Sequence, residues 1–124
     1  MAAVRPPRLI DQRELAVLTA ALQTAGTGLF DWSGKDLGNL RIISQCDCGC
    51  ASVDFASSKS KAPREMLADG IAITANNKYV GVIVWGDRSE VTGLEIYPMG
   101  GDDLSLPSPL SIMSWETFGK RKLK

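Results

Sequence analysis

Ile71-Ala72-Ile73-Thr74-Ala75-Asn76-Asn77-Lys78-Tyr79-Val80-Gly81-Val82-Ile83-Val84-Trp85 is the stretch that decides the fold. It is rich in β-branched and aromatic residues and is broken once, at Asn76-Asn77, whose side chains tolerate the positive φ of a tight turn. The spacing predicts strands over 70–75 and 78–85 joined by a two-residue turn, with Ala75 opposite Lys78 and Ile73 opposite Val80. One face then carries Ile71, Ile73, Val80, Val82 and Val84. A loop over 86–90 leads to a strand over 91–97, and with Trp85 opposite Val91 the residues Thr92, Leu94 and Ile96 join that face. The other face holds Tyr79, Ile83, Trp85, Val91 and Tyr97, with Gly81, Gly93 and Glu95 among them. In this register Tyr79 meets Tyr97 and Gly81 meets Glu95. Glycines inside strands mark a close approach by another segment or a ligand, so this second face is expected to be covered.

Upstream, the period changes to that of a helix over 12–24. Asp11 is placed to cap it, Glu14 stands three residues on as in a capping box, and Ile10 and Leu15 hold the staple positions. Leu15, Leu18, Leu22 and Ala25 form one apolar stripe. A second short helix is expected over 33–40, weakened by Gly34 and Gly38. Two further strands are read over 41–47 and 50–56, followed by the polar loop 57–63. Downstream of Pro98 come Gly100-Gly101-Asp102-Asp103, Pro107 and Pro109. Trp115 then stands with Leu110, Ile112, Met113 and Phe118 in an amphipathic stretch suited to cover the aromatic face. The fold expected is α+β, with one or two N-terminal helices on an antiparallel meander of about five strands. It forms one domain over 1–124, with flexible termini at 1–9 and 119–124.

Fourteen basic and fourteen acidic residues cancel, and the pI is about 6.2. That balance gives no reason to expect a nucleic-acid or membrane-surface partner. No run approaches the roughly 18 apolar residues of a membrane helix. Residues 1–10 carry two arginines and Pro6-Pro7 but no apolar core of a signal peptide. A cytoplasmic location is expected.

All three cysteines lie in Cys46-Asp47-Cys48-Gly49-Cys50, and the chain has no histidine. Tetrahedral zinc needs four ligands, here three thiols with Asp47 as the only nearby fourth, and C-x-C-x-C is not a strong zinc spacing. Thiols at i and i+2 of an extended strand stand about 6.5–7 Å apart along the chain, a poor disulfide geometry, so reduced thiols are expected. With Cys48-Gly49 at a hairpin tip, Ser44 faces Val53 and Ile42 faces Phe55. Cys46 then points inward, Cys50 outward, and the thiols diverge. Without histidine no Cys-His pair can form.

Among the carboxylates Asp47, Asp54, Glu95, Asp102 and Asp103, none shows a diagnostic spacing, and no phosphate-binding or nucleophile motif is present. The basic run 120–124 reads as a solvated end. No catalytic residue and no cofactor are therefore assigned.

Two stretches, 45–55 and 81–97 with the later Leu106-Pro107-Ser108-Pro109, resemble a group of small bacterial proteins of unknown function. Those proteins share an N-terminal helix, a C-x-C-G-C-type turn and a meander closing on an L-E-I-Y-like strand. The resemblance spans about residues 10–110 and implies no activity. The function expected is a non-enzymatic protein-interaction module of the immunity or accessory kind. Its binding residues would be Tyr79, Trp85, Glu95 and Tyr97, with a protein partner or a second copy as occupant. The alternative is a zinc- or thiol-dependent protein using Cys46, Cys48 and Cys50.

Overall fold

The computed structural model describes residues 2–32, 35–46, 51–56, 64–101 and 105–122. It is α+β, built on a seven-stranded antiparallel sheet in the order β1-β2-β3-β6-β5-β4-β7. The strands are β1 (Ala2–Leu9), β2 (Arg41–Gln45), β3 (Val53–Phe55), β4 (Glu65–Ile73), β5 (Tyr79–Gly86), β6 (Val91–Pro98) and β7 (Met113–Ser114). Helix α1 (Gln12–Ala25) follows β1, and α2 (Trp115–Lys122) ends the described chain. Of the expected second helix over 33–40, the described residues 35–40 hold a single 3-10 turn at Leu37–Asn39, with Gly38 inside it.

The sheet is larger than the five strands expected. Both additional strands sit at its edges, where the usual sequence signals are weakest. β1 contains Pro6 and Pro7, which cannot donate to a ladder. They fall between the paired positions Ala3 and Arg8, where the register shifts, as is tolerated on an edge strand. β7 has only two residues, pairing with Gly70 and Ile71 of β4. Residues 2–9 and the stretch up to Lys122 are thus in regular elements.

Helix α1 begins as its sequence dictates. The Asp11 carboxylate accepts from the Glu14 N–H at 2.7 Å, and Glu14 Oε1 accepts from the Asp11 N–H at 3.0 Å, closing the capping box. Arg8 of β1 adds two hydrogen bonds of 2.9 Å, one to each oxygen of the buried Glu14 carboxylate. The side chains of Val17, Leu18, Ala21, Leu22 and Ala25 are buried, and those of Leu15 and Ala20 pack against the core.

The hairpin between β4 and β5 departs from the expected register by one residue. Thr74 pairs with Lys78 through its N–H, 2.9 Å from the Lys78 carbonyl. The loop is therefore the three residues 75–77, with Asn77 at φ 62°. Ile73 lies opposite Tyr79, not Val80, and Ala72, Gly70 and Ala68 lie opposite Val80, Val82 and Val84. A slip of one exchanges the faces of a strand. Ile71 and Ile73 therefore leave the helix-covered face, and a lane of small residues takes their place under α1. The approach is close: a Cβ on Gly70 would stand 2.9 Å from Ala25 Cβ and 2.7 Å from the Met113 carbonyl oxygen.

Between β5 and β6 the slip is two residues, which keeps the faces. Val82 meets Ile96 and Val84 meets Leu94 in the core, while Gly81 meets Tyr97 and Ile83 meets Glu95 on the other side. The expected Tyr79–Tyr97, Gly81–Glu95 and Trp85–Val91 pairs are replaced. An extra residue, Thr92, stands between Gly93 (opposite Trp85) and Val91 (opposite Gly86), and this bulge places Val91 in the core instead of on the aromatic face.

Replacing Gly70 by alanine is expected to lower the urea midpoint by the equivalent of about 1–3 kcal/mol, since backbone and helix must both give way. Gly119→Ala, where a Cβ meets nothing within 4 Å inside α2, should leave the midpoint unchanged or raise it by up to about 1 kcal/mol. Equal losses for both would show that the helix does not depend on the small-residue lane.

Candidate functional site

The second face of the sheet is the candidate site, and three bulges aim its side chains. Met66 and Ala68 pair with the successive residues Trp85 and Val84, so Leu67 is an extra residue on β4. Thr92 is the extra residue on β6 at the adjacent Trp85–Gly86 step, and Ile43 is the extra residue on β2 between Ile42 and Ser44. The Leu67 bulge places both Leu67 and Ala68 in the core and leaves Met66 exposed opposite Trp85. The Thr92 bulge leaves the Thr92 hydroxyl buried with no hydrogen-bond partner. Bulges of this kind re-aim side chains beside sites.

Trp85 is the centre of this face. Its indole N–H donates to Glu95 Oε1 at 2.9 Å. The Arg64 guanidinium lies over its ring, Cζ 5.4 Å from the centroid, a cation–π distance. Arg64 Nη2 is also 3.7 Å from Asp54 Oδ1, and Asp54 Oδ2 accepts from the Ser44 hydroxyl at 3.1 Å. The guanidinium occupies the space a Cβ on Gly93 would need. Gly81 plays the same part for Tyr97, whose ring lies across it where a side chain would be. Both strand glycines therefore mark close approaches, as their positions implied, and in each case the visitor is a side chain of this protein.

The C-terminal segment covers the other end of the face. Trp115 Nε1 donates to Asp69 Oδ1 at 3.0 Å, and Phe118 meets the Tyr79 and Trp115 rings edge-on at 5.4 and 6.0 Å. Ile71 is fully buried. Of the cover read from the sequence, Trp115 and Phe118 supply the ring contacts and half-buried Met113 pairs opposite Ile71. Ile112 joins the core instead, and Leu110 is 98% exposed. Of the expected binding residues, Tyr79 meets the Phe118 ring yet is 42% exposed, while Trp85, Glu95 and Tyr97 are half-buried.

Arg64 and Asp69 were not singled out in the sequence. Arg64 follows a proline at the end of a polar loop, and Asp69 precedes the apolar run that was read as the strand. Only pairing with Trp85 and with Ile83 brings them to this face.

At the other end of the sheet, the bulge at Ile43 shifts the register expected for the strands that flank the cysteines. Ile42 does face Phe55, but Ser44 then pairs with Asp54 and Gln45 with Val53. Ser44 thereby turns to the second face. Cys46 lies beyond the end of β2, half-buried, and its N–H donates to the Ser52 carbonyl at 3.0 Å. Its sulfur is in a disulfide, contrary to the reduced thiols expected. The spacing argument holds only for two cysteines in one extended strand, and the partner cysteine lies outside the described residues. Asp47, Cys48, Gly49 and Cys50 lie outside the described residues, as do Asp102 and Asp103. Among the described residues, no group of three histidine, cysteine or acidic side chains could hold a metal ion. No helix among them is long and apolar enough to cross a membrane.

Comparison with known proteins adds no relative: no protein-family model, curated protein or solved structure matches this chain.

Burial first, and then the charges of Asp69 and Glu95, hold the Tyr97 phenol above the ordinary tyrosine range. Folded Tyr97 therefore keeps its proton after the unfolded chain begins to lose it near pH 10, so the unfolded state binds fewer protons and stability falls as pH rises past about 10. Tyr97→Phe should flatten that alkaline loss in urea titrations; an unchanged slope would remove Tyr97 as its source. For the cysteines, a disulfide takes two of the three, so denatured, unreduced protein should show one free thiol and reduced protein three. Three free thiols before reduction would exclude the disulfide.

Proposed function

We propose that the protein is a non-enzymatic interaction module that docks a protein partner on the open part of its second sheet face, around Trp85, Glu95 and Tyr97. The single observation that carries this reading is the unfinished cover: Tyr79 stays 42% exposed although Phe118 meets its ring, and the indole, carboxylate and phenol of Trp85, Glu95 and Tyr97 are only half-buried. The residue types suit the role. Tryptophan, tyrosine and arginine dominate the energetic centres of protein interfaces, and here Trp85, Tyr97 and Arg64 stand on one rigid sheet. Their rotamers are held by Glu95, Gly81 and Asp54, so a partner would meet a preorganised surface and lose less entropy on ordering it. A zinc- or thiol-dependent role at Cys46, Cys48 and Cys50 gains no support from a Cys46 sulfur already held in a disulfide.

A photo-crosslinking residue at position 83, in the middle of the face, is expected to give a discrete adduct in the producing cell. The adduct should disappear when Trp85→Ala is added with the fold intact by circular dichroism. The same probe at the exposed Ala16 of α1 should give none. Equal labelling at both positions, or no adduct at 83, would overturn the reading.

A further inference from the structure

We infer that the occupant of this face is a basic peptide segment of a partner protein, presenting an arginine or lysine to Asp69 and Glu95; this rests on the docking reading above. The two carboxylates stand in one row across β4, β5 and β6, on either side of Ile83. Each accepts a neutral indole N–H through one oxygen, Glu95 from Trp85 and Asp69 from Trp115. Among the described residues, no lysine or arginine pairs with either. Both are half-exposed and therefore within reach of a partner.

Among the described side chains, the neighbouring cations are engaged elsewhere: Arg64 with Asp54 and the Trp85 ring, and Lys120 of α2 with Glu116. Asp69 and Glu95 are left as a local negative excess framed by the aromatic rings of Trp85, Tyr97 and Trp115. Indole and phenol rings attract cations through their π faces, so walls and floor select the same sign of charge. A charged partner of the opposite sign would be repelled at close range.

The protein itself displays the mode of recognition. Arg64 is seated by an indole face, a carboxylate and the hollow over a strand glycine. The Trp85 ring is taken by Arg64, so an arriving arginine would meet the Glu95 carboxylate beside the Tyr97 ring, with Asp69 two strands away for a second contact. Because a planar guanidinium stacks on rings and forks onto carboxylates, arginine is favoured over lysine. Hydrogen bonds made by the uncharged indoles survive replacement of the acids by amides, which permits a clean test of charge.

The test uses the purified full chain titrated with short oligoarginine, oligolysine and oligoglutamate peptides, followed by tryptophan fluorescence and by amide NMR shifts. Saturable binding is expected for the basic peptides, tighter for oligoarginine, with shifts centred on Gly81, Ile83 and Glu95. Glu95→Gln and Asp69→Asn should each weaken it by about three- to tenfold, and added salt should weaken it further. Asp36→Asn, on the 3-10 turn before β2, should not. Circular dichroism and the urea midpoint report whether each variant still folds. Oligoglutamate binding as tightly as oligoarginine, shifts located elsewhere, or binding indifferent to both amide variants would overturn the inference. So would face shifts that depend only on protein concentration, which would make a second copy the occupant. If the position-83 adduct forms while basic peptides fail to bind, the basic partner is wrong and the docking face stands; if that adduct is missing, both fall.

Discussion

Asn77 adopts a left-handed conformation, and the arrangement of the whole sheet follows from it. With positive φ at the third loop position, the turn takes three residues, the pattern of a type I turn closed by a residue in the left-handed region. That length sets β4 one residue away from the alternative pairing. The small side chains Ala68, Gly70 and Ala72 then face α1, and Ile71 and Ile73 face away from it. Had the turn taken two residues, isoleucines would stand where Ala25 now approaches Gly70, and the helix could not lie as close. The same register sends Asp69 to the second face, where Trp115 finds it.

The two faces are therefore solved by different chemistry. The α1 side is an apolar core in which Leu18, Ile42, Val82, Val84 and Leu94 are fully buried, each such side chain contributing on the order of 1.5–3 kcal/mol. The α2 side combines aromatic rings with carboxylates and the Arg64 guanidinium, with Tyr97 and Arg64 filling the hollows over Gly81 and Gly93. Such a face stabilises less per unit area, because exposed ion pairs contribute little, yet it fixes the positions of polar groups.

The α1 helix was legible from its cap and leucine stripe, because those signals are local, though buried Val17 and Ala21 lie off the stripe that was read. The strands of the central hairpins were legible as strands, and β5 and β6, apart from Val91 beyond the bulge, were assigned to the correct faces because their slip was even. Pairing was not legible, since each bulge adds a residue that breaks the period of two without changing composition: Leu67, Thr92 and Ile43 are ordinary strand residues. β1 was hidden by its prolines and β7 by its length. Of the candidate site, Trp85, Glu95 and Tyr97 were found because aromatic residues and strand glycines stand out in a short meander. Arg64 and Asp69 reach the face only through long-range pairing that no local pattern encodes.

The forked contact between Arg8 and Glu14 ties the outermost strand to the start of the helix. Glu14 is only 5% exposed, and a carboxylate so enclosed is costly without its cation. Fraying of the sheet edge is thereby coupled to unravelling of the first helical turn, so the two should open as one cooperative unit. A protease that removed the chain up to Arg8 would do more than shorten an edge strand: it would strip the counter-charge from a buried acid and loosen the helix that seals the core.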